Sequence, residues 1–256
     1  MPSVNGRCNH WPVICAVKNC RRNRSTLQES SANCRYLFSE YDAGGTGKGV
    51  DAMPVITAIV PTFNDENFIE RCLCSVIDQN LDDVQIIVVE RGSFDKTRDV
   101  VDFYKSEVDQ IIDAPGTTLG TAINRALAFA EGRYVTVLTG DCLLMPGAME
   151  TIRRFVARKP QTDWLASSNL RIDVDDQLRG EVRPSTPTNL AAYLKHNSGL
   201  IPPAGVVWRK ALIDEVGVFD DDLDDAYDYD FFCRLLLADH RPTFIGQTLA
   251  AVREYE

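Results

Sequence analysis

Carboxylates at the tips of apolar runs are the groups in this chain best placed to do chemistry. In "YVTVLTGDCLLMPGAME", Tyr134 to Glu150, an apolar stretch stops on a lone acid, Asp141, before a new helix begins at Pro146. Such a carboxylate can hold a cation or cap a helix, and Asp141 lies several residues too early to be a good cap. In "DDDLDDAYDYD", Asp228 stands at the opening of a late helix. An acid beside a helix N-terminus tends to stay ionised at neutral pH, as a general base must, and the competing reading is a solvated charge run with helix capping. Glu90 follows the apolar run "VQIIVV", with a solvated strand-end charge as its plain alternative. Asp95 in "ERGSFDKT" is equally a site acid or the N-cap of the next helix.

The elements that must position these groups are readable from periodicity. "VITAIV" is a short β-rich run ending at "PTFN", and "DENFIERCLCSVIDQ" follows with Phe68, Ile69, Cys72, Leu73, Val76 and Ile77 on one helical face. The unit recurs: "VQIIVV" leads through "ERGSFDKT" to a helix with Val100, Val101, Tyr104 and Val108 inward. Then "QII", "DAPGTTLGTAINRALAFAEG" and "YVTVL" repeat the alternation. Continuous apolar strands between amphipathic helices predict an α/β, Rossmann-like, mostly parallel sheet with helices on both faces. In such a sheet ligands bind outside the carboxyl ends of the strands, which puts "PTFN", "ERGS" and "TGDC" at one edge. The later part reads as a mixed α/β half. It has strands around a "DDQ" turn, a short helix in "TPTNLAAYLKHN", a strand running into a helix in "AGVVWRKALIDEVGVFD" and a helix in "DYDFFCRLLLADH". Two edge strands, "TFIG" and "LAAVREY", close it. A ligand-binding half followed by a mixed half points to an enzyme of two substrates.

Composition narrows the partners. The net charge of −10 conceals a basic opening: residues 1–50 hold seven Lys or Arg against three acids, so the remainder carries −14. That acidity, without a localised basic groove, argues against nucleic acid, while a divalent cation can still reverse the field within one pocket. No apolar run is long enough to span a bilayer and no secretory h-region is visible, so the expected location is cytoplasmic. Residues 1–52 read as a disordered leader and linker; a zinc site from Cys8, His10, Cys15, Cys20 and Cys34 or an organelle-targeting peptide are its alternatives. "GGTGKG" fails as a phosphate loop, because the required first Gly falls on Asp42 and the Ser/Thr position is Gly49. The eight cysteines form no CxxC pair and are expected to be reduced.

Four blocks, in order, carry a specific resemblance. "ITAIVPTFNDENFIERCLCSVIDQ", "IIVVERGSFDKT", "LGTAINRALAFAEGRYVTVLTGDCLLMPGAM" and "VVWRKALIDEVGVFDDDLDDAYDYDFFCRLLLA" resemble family 2 glycosyltransferases of the GT-A fold over about Val55 to Glu256. The resemblance implies a glycosyltransferase domain over 53–256, with a nucleotide-sugar half at 53–145 and an acceptor half at 146–256. It implies that Asp141 is the metal-binding acid of a DXD-like motif, here with Thr139 and Cys142 where acids are usual, and that Mn²⁺ or Mg²⁺ bridges the donor diphosphate. Pro61, Thr62 and Asn64 match the first donor-binding loop, Glu90 the acid that meets the nucleotide base, and Gly120 a residue of the third block on the donor side. Asp228 matches the base that deprotonates the acceptor hydroxyl, preceded by Tyr227 where an acid is frequent. Trp208 and Arg209 match an aromatic-plus-Arg pair, with Arg209 clamping a phosphate and Trp208 alternatively a core residue. His196 reads as solvated or structural. A metal-binding His is frequent shortly after an Arg near the family's C-terminus; here "VREYE" offers Arg253, Glu254 and Tyr255.

The expected function is thus a metal-dependent inverting glycosyltransferase. Its donor would be a nucleotide sugar, a UDP-sugar first among them, and its acceptor a glycan, lipid-linked or protein hydroxyl. The QxxRW motif of processive members is absent, which favours single additions; no transmembrane segment is expected, and peripheral membrane association stays open. The rivals are a nucleotide-sugar-binding pseudoenzyme, favoured by Thr139, Cys142, Tyr227 and the missing His, and a nucleotidyltransferase, disfavoured because "PTFNDEN" lacks a glycine-rich loop.

Overall fold

The computed structural model describes residues 55–185, 190–195, 201–223 and 226–254. The leader and linker expected over 1–52, with its candidate zinc ligands, and His196 and Asn197 lie outside them.

The first half alternates as the periodicity requires. Strand β1 (Ile56–Thr62) is buried along its whole length. It leads into α1 (Ile69–Ile77), then β2 (Val84–Glu90), α2 (Thr97–Phe103), β3 (Gln110–Asp113), α3 (Leu119–Leu127) and β4 (Tyr134–Val137). β1 pairs in parallel with both β2 and β4, and β2 with β3. Pro61 fits near the end of β1 because β4 pairs only as far as Ile59, so its missing N–H interrupts no ladder on that side.

The second half adds β5 (Cys142–Leu144), α4 (Ala148–Arg158), β6 (Trp164–Ile172), β7 (Leu178–Val182), α5 (Leu190–Lys195), β8 (Val207–Arg209), α6 (Leu212–Val216), α7 (Tyr227–Leu237) and β9 (Thr243–Arg253). Among the described residues one sheet runs β3-β2-β1-β4-β8-β6-β9-β5, with β7 on β6. β1, β2, β3, β4, β6 and β9 point one way, and β5, β7 and β8 the other.

Both faces are covered. Ala58 and Val60 of β1 meet Leu73 and Val76 of α1, Val101 of α2 and Met149 and Ile152 of α4. Ile59, Ile87 and Val135 meet Ile123 and Ala126 of α3 and Phe231 and Leu235 of α7 on the other side. A strand that alternates between two apolar cores has no solvent face, which is why it reads as an unbroken apolar run.

One expectation fails in the second half, and one strand is unforeseen. "TFIG" and "LAAVREY" are not separate edge strands: they are one strand, β9, held between β6 and β5. The "GQT" that divides the two apolar runs is absorbed by register shifts against Ser167, Ser168 and Asn169, a bulge rather than a turn. β5 is also unforeseen, because three residues carry too little pattern to mark a strand before β9 supplies its partner.

Candidate active site at the carboxyl edge of the sheet

The loops after β1 and β2 are tied to each other by side-chain and backbone hydrogen bonds. Thr62 Oγ1 donates to Asp65 Oδ2 at 2.8 Å and the Phe63 N–H donates to the same oxygen at 3.0 Å. The Asn64 N–H donates to Ser93 Oγ at 3.0 Å, while Asn64 Oδ1 accepts from the Phe94 N–H at 3.1 Å. Asn64 sits at φ 55°, a left-handed geometry that Asn tolerates. Asp95 receives the N–H groups of Thr97 and Glu66 at 2.9 and 3.1 Å, so it ties the first loop to the start of α2, whose N-cap position is Lys96 rather than Asp95. Burial pushes its carboxyl up, but hydrogen bonds from Thr97 and from the Glu66 backbone outweigh this and hold it below the usual Asp value.

Glu90, 5% exposed, is no solvated charge. Its carboxylate accepts the N–H of Ser93 at 2.6 Å and that of Gly92 at 3.1 Å, shaping the second loop. A carboxylate has about four acceptor positions, so these bonds leave capacity for a ligand donor.

Asp141 follows β4. Its Oδ1 accepts from Thr139 Oγ1 at 2.6 Å, which orients the carboxylate. Beside it is a second acid that the sequence reading did not single out. Asp65 packs so closely on Gly140 that a methyl group there would collide with its carboxyl. Burial pushes the Asp65 carboxyl above its ordinary range; Thr62 and Phe63 pull it down, and the charges of Asp141 and Asp95 push it up again. "PTFNDEN" gave no local sign of this, beyond placing an acid in a loop at the right edge.

Asp141 and Asp228 border one cleft of about 290 Å³, shared with Thr139, Cys142, Pro203 and Tyr227. Asp228 enters from the first turn of α7. Burial pushes its carboxyl above the ordinary Asp value, and the N–H groups of Tyr229 and of Asp228 itself pull only partly back. This corrects the sequence reading that the helix terminus sets its ionisation: desolvation is the larger effect. The Tyr227 phenol is pushed well up, by burial first and then by Asp228, Cys142 and Asp141. The Cys142 thiol is likewise raised well above its normal value by burial and by Asp141, so it stays protonated and is no nucleophile.

Arg209 has another place than expected, and Trp208 takes the core reading rather than the site reading. Arg209 pairs with Tyr134, the first residue of β4, which puts it at the amino-terminal end of the parallel strands rather than at the cleft. There its guanidinium donates to Asp163 at 2.6 Å. A broad groove of about 1260 Å³ opens at that end, bordered by Val55, Arg133, Tyr134 and Arg209. It is larger than the cleft and Asp83, Glu131 and Asp214 also line it, but it lies at the amino-terminal end of the parallel strands, opposite the edge where such sheets bind ligands. Gly120 packs tightly against the segment before α7: an added Cβ would come within 2.6 Å of the Asp220 carbonyl oxygen. Trp208 is 3% exposed, with Phe231 at 5.4 Å and Phe219 at 5.9 Å, a core residue.

Among the described residues no group of three His, Cys, Asp or Glu side chains is placed to hold a metal. Asp141 and Asp65 offer hard oxygen donors without a closed cage. That set fits Mg²⁺ or Mn²⁺, which habitually complete their shells with water and phosphate oxygens.

Comparison with known proteins agrees with this architecture. The model of the family described as glycosyl transferase family 2 matches residues 57–216. An uncharacterized protein of Mycobacterium tuberculosis is 28% identical over 204 residues, 73% of this chain and 63% of its own length. The hyaluronan synthase of Pasteurella multocida is 25% identical over 192 residues, 73% of this chain and 19% of that enzyme. The chain therefore spans less than two thirds of these relatives. S. aureus TarS 1-349, solved in complex with UDP-GlcNAc, superposes with a TM-score of 0.64 at 21% identity, over 78% of this chain and 59% of that one. With a family match over most of the sheet and solved neighbours sharing its fold, the chain belongs to glycosyl transferase family 2.

Proposed function

We propose that this glycosyltransferase moves a sugar from a nucleoside diphosphate to an acceptor hydroxyl with inversion at the anomeric carbon. The observation that carries the reading is the single cleft bordered by Asp141 and Asp228. Asp141 and Asp65 would hold Mg²⁺ or Mn²⁺, and a cation bound there would supply neutralisation of the charge that grows on the departing diphosphate. Thr62 and Glu90 form the wall for the nucleoside. Asp228 accepts the proton of the acceptor hydroxyl as its oxygen bonds the anomeric carbon; the sugar–phosphate bond breaks on the opposite face and the diphosphate leaves with the electron pair. That TarS was solved with UDP-GlcNAc and with UDP supports a UDP-sugar donor here. The acceptor is a glycan, lipid-linked or protein hydroxyl, and the site of action is the cytoplasm. No helix among the described residues is long and apolar enough to cross a membrane.

Donor hydrolysis with a panel of nucleotide sugars in Mn²⁺ tests the reading. Turnover that disappears in Asp141→Ala and Asp228→Asn supports it. The rival reading, nucleotide-sugar binding without turnover, rests on the lack of a third metal-holding side chain among the described residues. Thermal stabilisation by a donor with no hydrolysis and no transfer would favour that rival and sink ours.

A further inference from the structure

Arg253 ends β9 with its side chain fully buried, a position that needs an explanation because an uncompensated guanidinium there would be very costly. Its partner is Asp176, which is 2% exposed although it belongs to the turn between β6 and β7. Asp176 bridges the Arg253 and Arg71 guanidinium groups. The turn is preset to deliver it: Asp173 Oδ1 accepts the N–H groups of Asp175 and Gln177 at 2.9 and 2.8 Å, and Asp176 takes φ 62°.

The remaining donors of Arg253 reach two more segments. Nε donates to the Asp173 carbonyl at 3.2 Å, and Nη1 donates to the carbonyl of Asp141 at 3.1 Å. The face of the guanidinium lies 4.3 Å from the centre of the Phe68 ring, just before α1. One planar group thus joins the β6–β7 turn, the start of α1 and the loop carrying Asp141. A Lys has a single nitrogen and cannot make this set of bonds at once.

We infer that Arg253 is a positioning residue for the donor side of the site, holding the Asp141 peptide by its carbonyl so that the carboxylate faces the cleft. Pairing of Cys142 with Val252 sets the register of the loop, and the arginine fixes the orientation of the peptide before it. This deepens the proposed function, since it rests on Asp141 acting at the cleft.

The test compares Arg253→Lys with Arg71→Lys in the full chain. Amide hydrogen exchange is followed over residues 139–143, and UDP affinity is measured by calorimetry with and without Mn²⁺. In Arg253→Lys the loop amides exchange faster, and the gain in UDP affinity brought by Mn²⁺ falls about 10-fold, while affinity without Mn²⁺ is unchanged. Arg71→Lys lowers the melting temperature without accelerating the loop. Unaltered loop exchange in Arg253→Lys overturns the inference, as does equal acceleration in both variants. Should Arg253→Lys not fold, Asp176→Asn loosens the same guanidinium and is read by the same exchange. A wild-type chain with no Mn²⁺-dependent gain refutes the metal reading of the site, and the exchange data still decide the role of Arg253.

Discussion

The carboxyl of Asp65 rests against the α-carbon of Gly140, so the loops after the first and fourth strands meet one residue before Asp141. The contact leaves no room for a Cβ. Gly140→Ala must therefore displace Asp65, the Asp141 loop or both. Misplacing reacting groups by about 1 Å can cost on the order of 100-fold in rate, so donor turnover should fall by about that factor with the fold retained. Turnover within a factor of about two of wild type would show that the contact does not shape the site.

Asp228 should trade stability for activity. Its folded-state pKa is raised, chiefly by burial, so its favourable contribution to folding is complete below the unfolded pKa and lost as pH rises through the folded one. Asp228→Asn removes the cost of ionisation. The variant should melt above wild type at neutral pH, the gap closing as pH falls through the folded pKa of Asp228. Activity should drop by about 10² to 10⁴-fold. Melting curves of both proteins from about pH 4 to pH 8 check this, and a variant less stable at neutral pH contradicts it.

Asp176 anchors two arginines from within the protein. Asp176→Ala leaves the fully buried Arg253 without its counter-charge, and breaking a buried pair in this way costs about 3–5 kcal/mol. Urea unfolding measures the loss. A cost under about 1 kcal/mol would match an ordinary surface pair and contradict the burial of this one.

Arg209 should be silent in the chemistry. It stands opposite the first residue of β4 and is bonded to Asp163. Arg209→Met is expected to leave donor affinity and turnover unchanged and to cost about 1 kcal/mol of stability. A specific loss of diphosphate affinity would return it to the site.

Much of the first half was legible because its signals are local. An apolar run followed by a polar tip and an amphipathic helix specifies strand, loop and helix whatever surrounds it, and "PTFN", "ERGS" and "TGDC" fell at one edge for that reason. The second half was less legible. "AGVVWRK" announces a strand but not its direction, and β8 runs antiparallel to β4, which carries Arg209 to the wrong end. "GQT" looks like a break between strands, and only the bulge against β6 makes β9 continuous.

From its residues alone this chain is an alternating α/β protein with acids at strand and helix ends, because hydrophobic period and turn chemistry act over a few neighbours. The folded chain decided which acids meet. Asp65 joins Asp141 through a glycine contact, Asp228 reaches the same cleft from α7, and Asp176 leaves a charged turn to neutralise Arg253. Those pairings depend on strand order and direction and on desolvation, properties of distant segments brought together, and no local pattern encodes them.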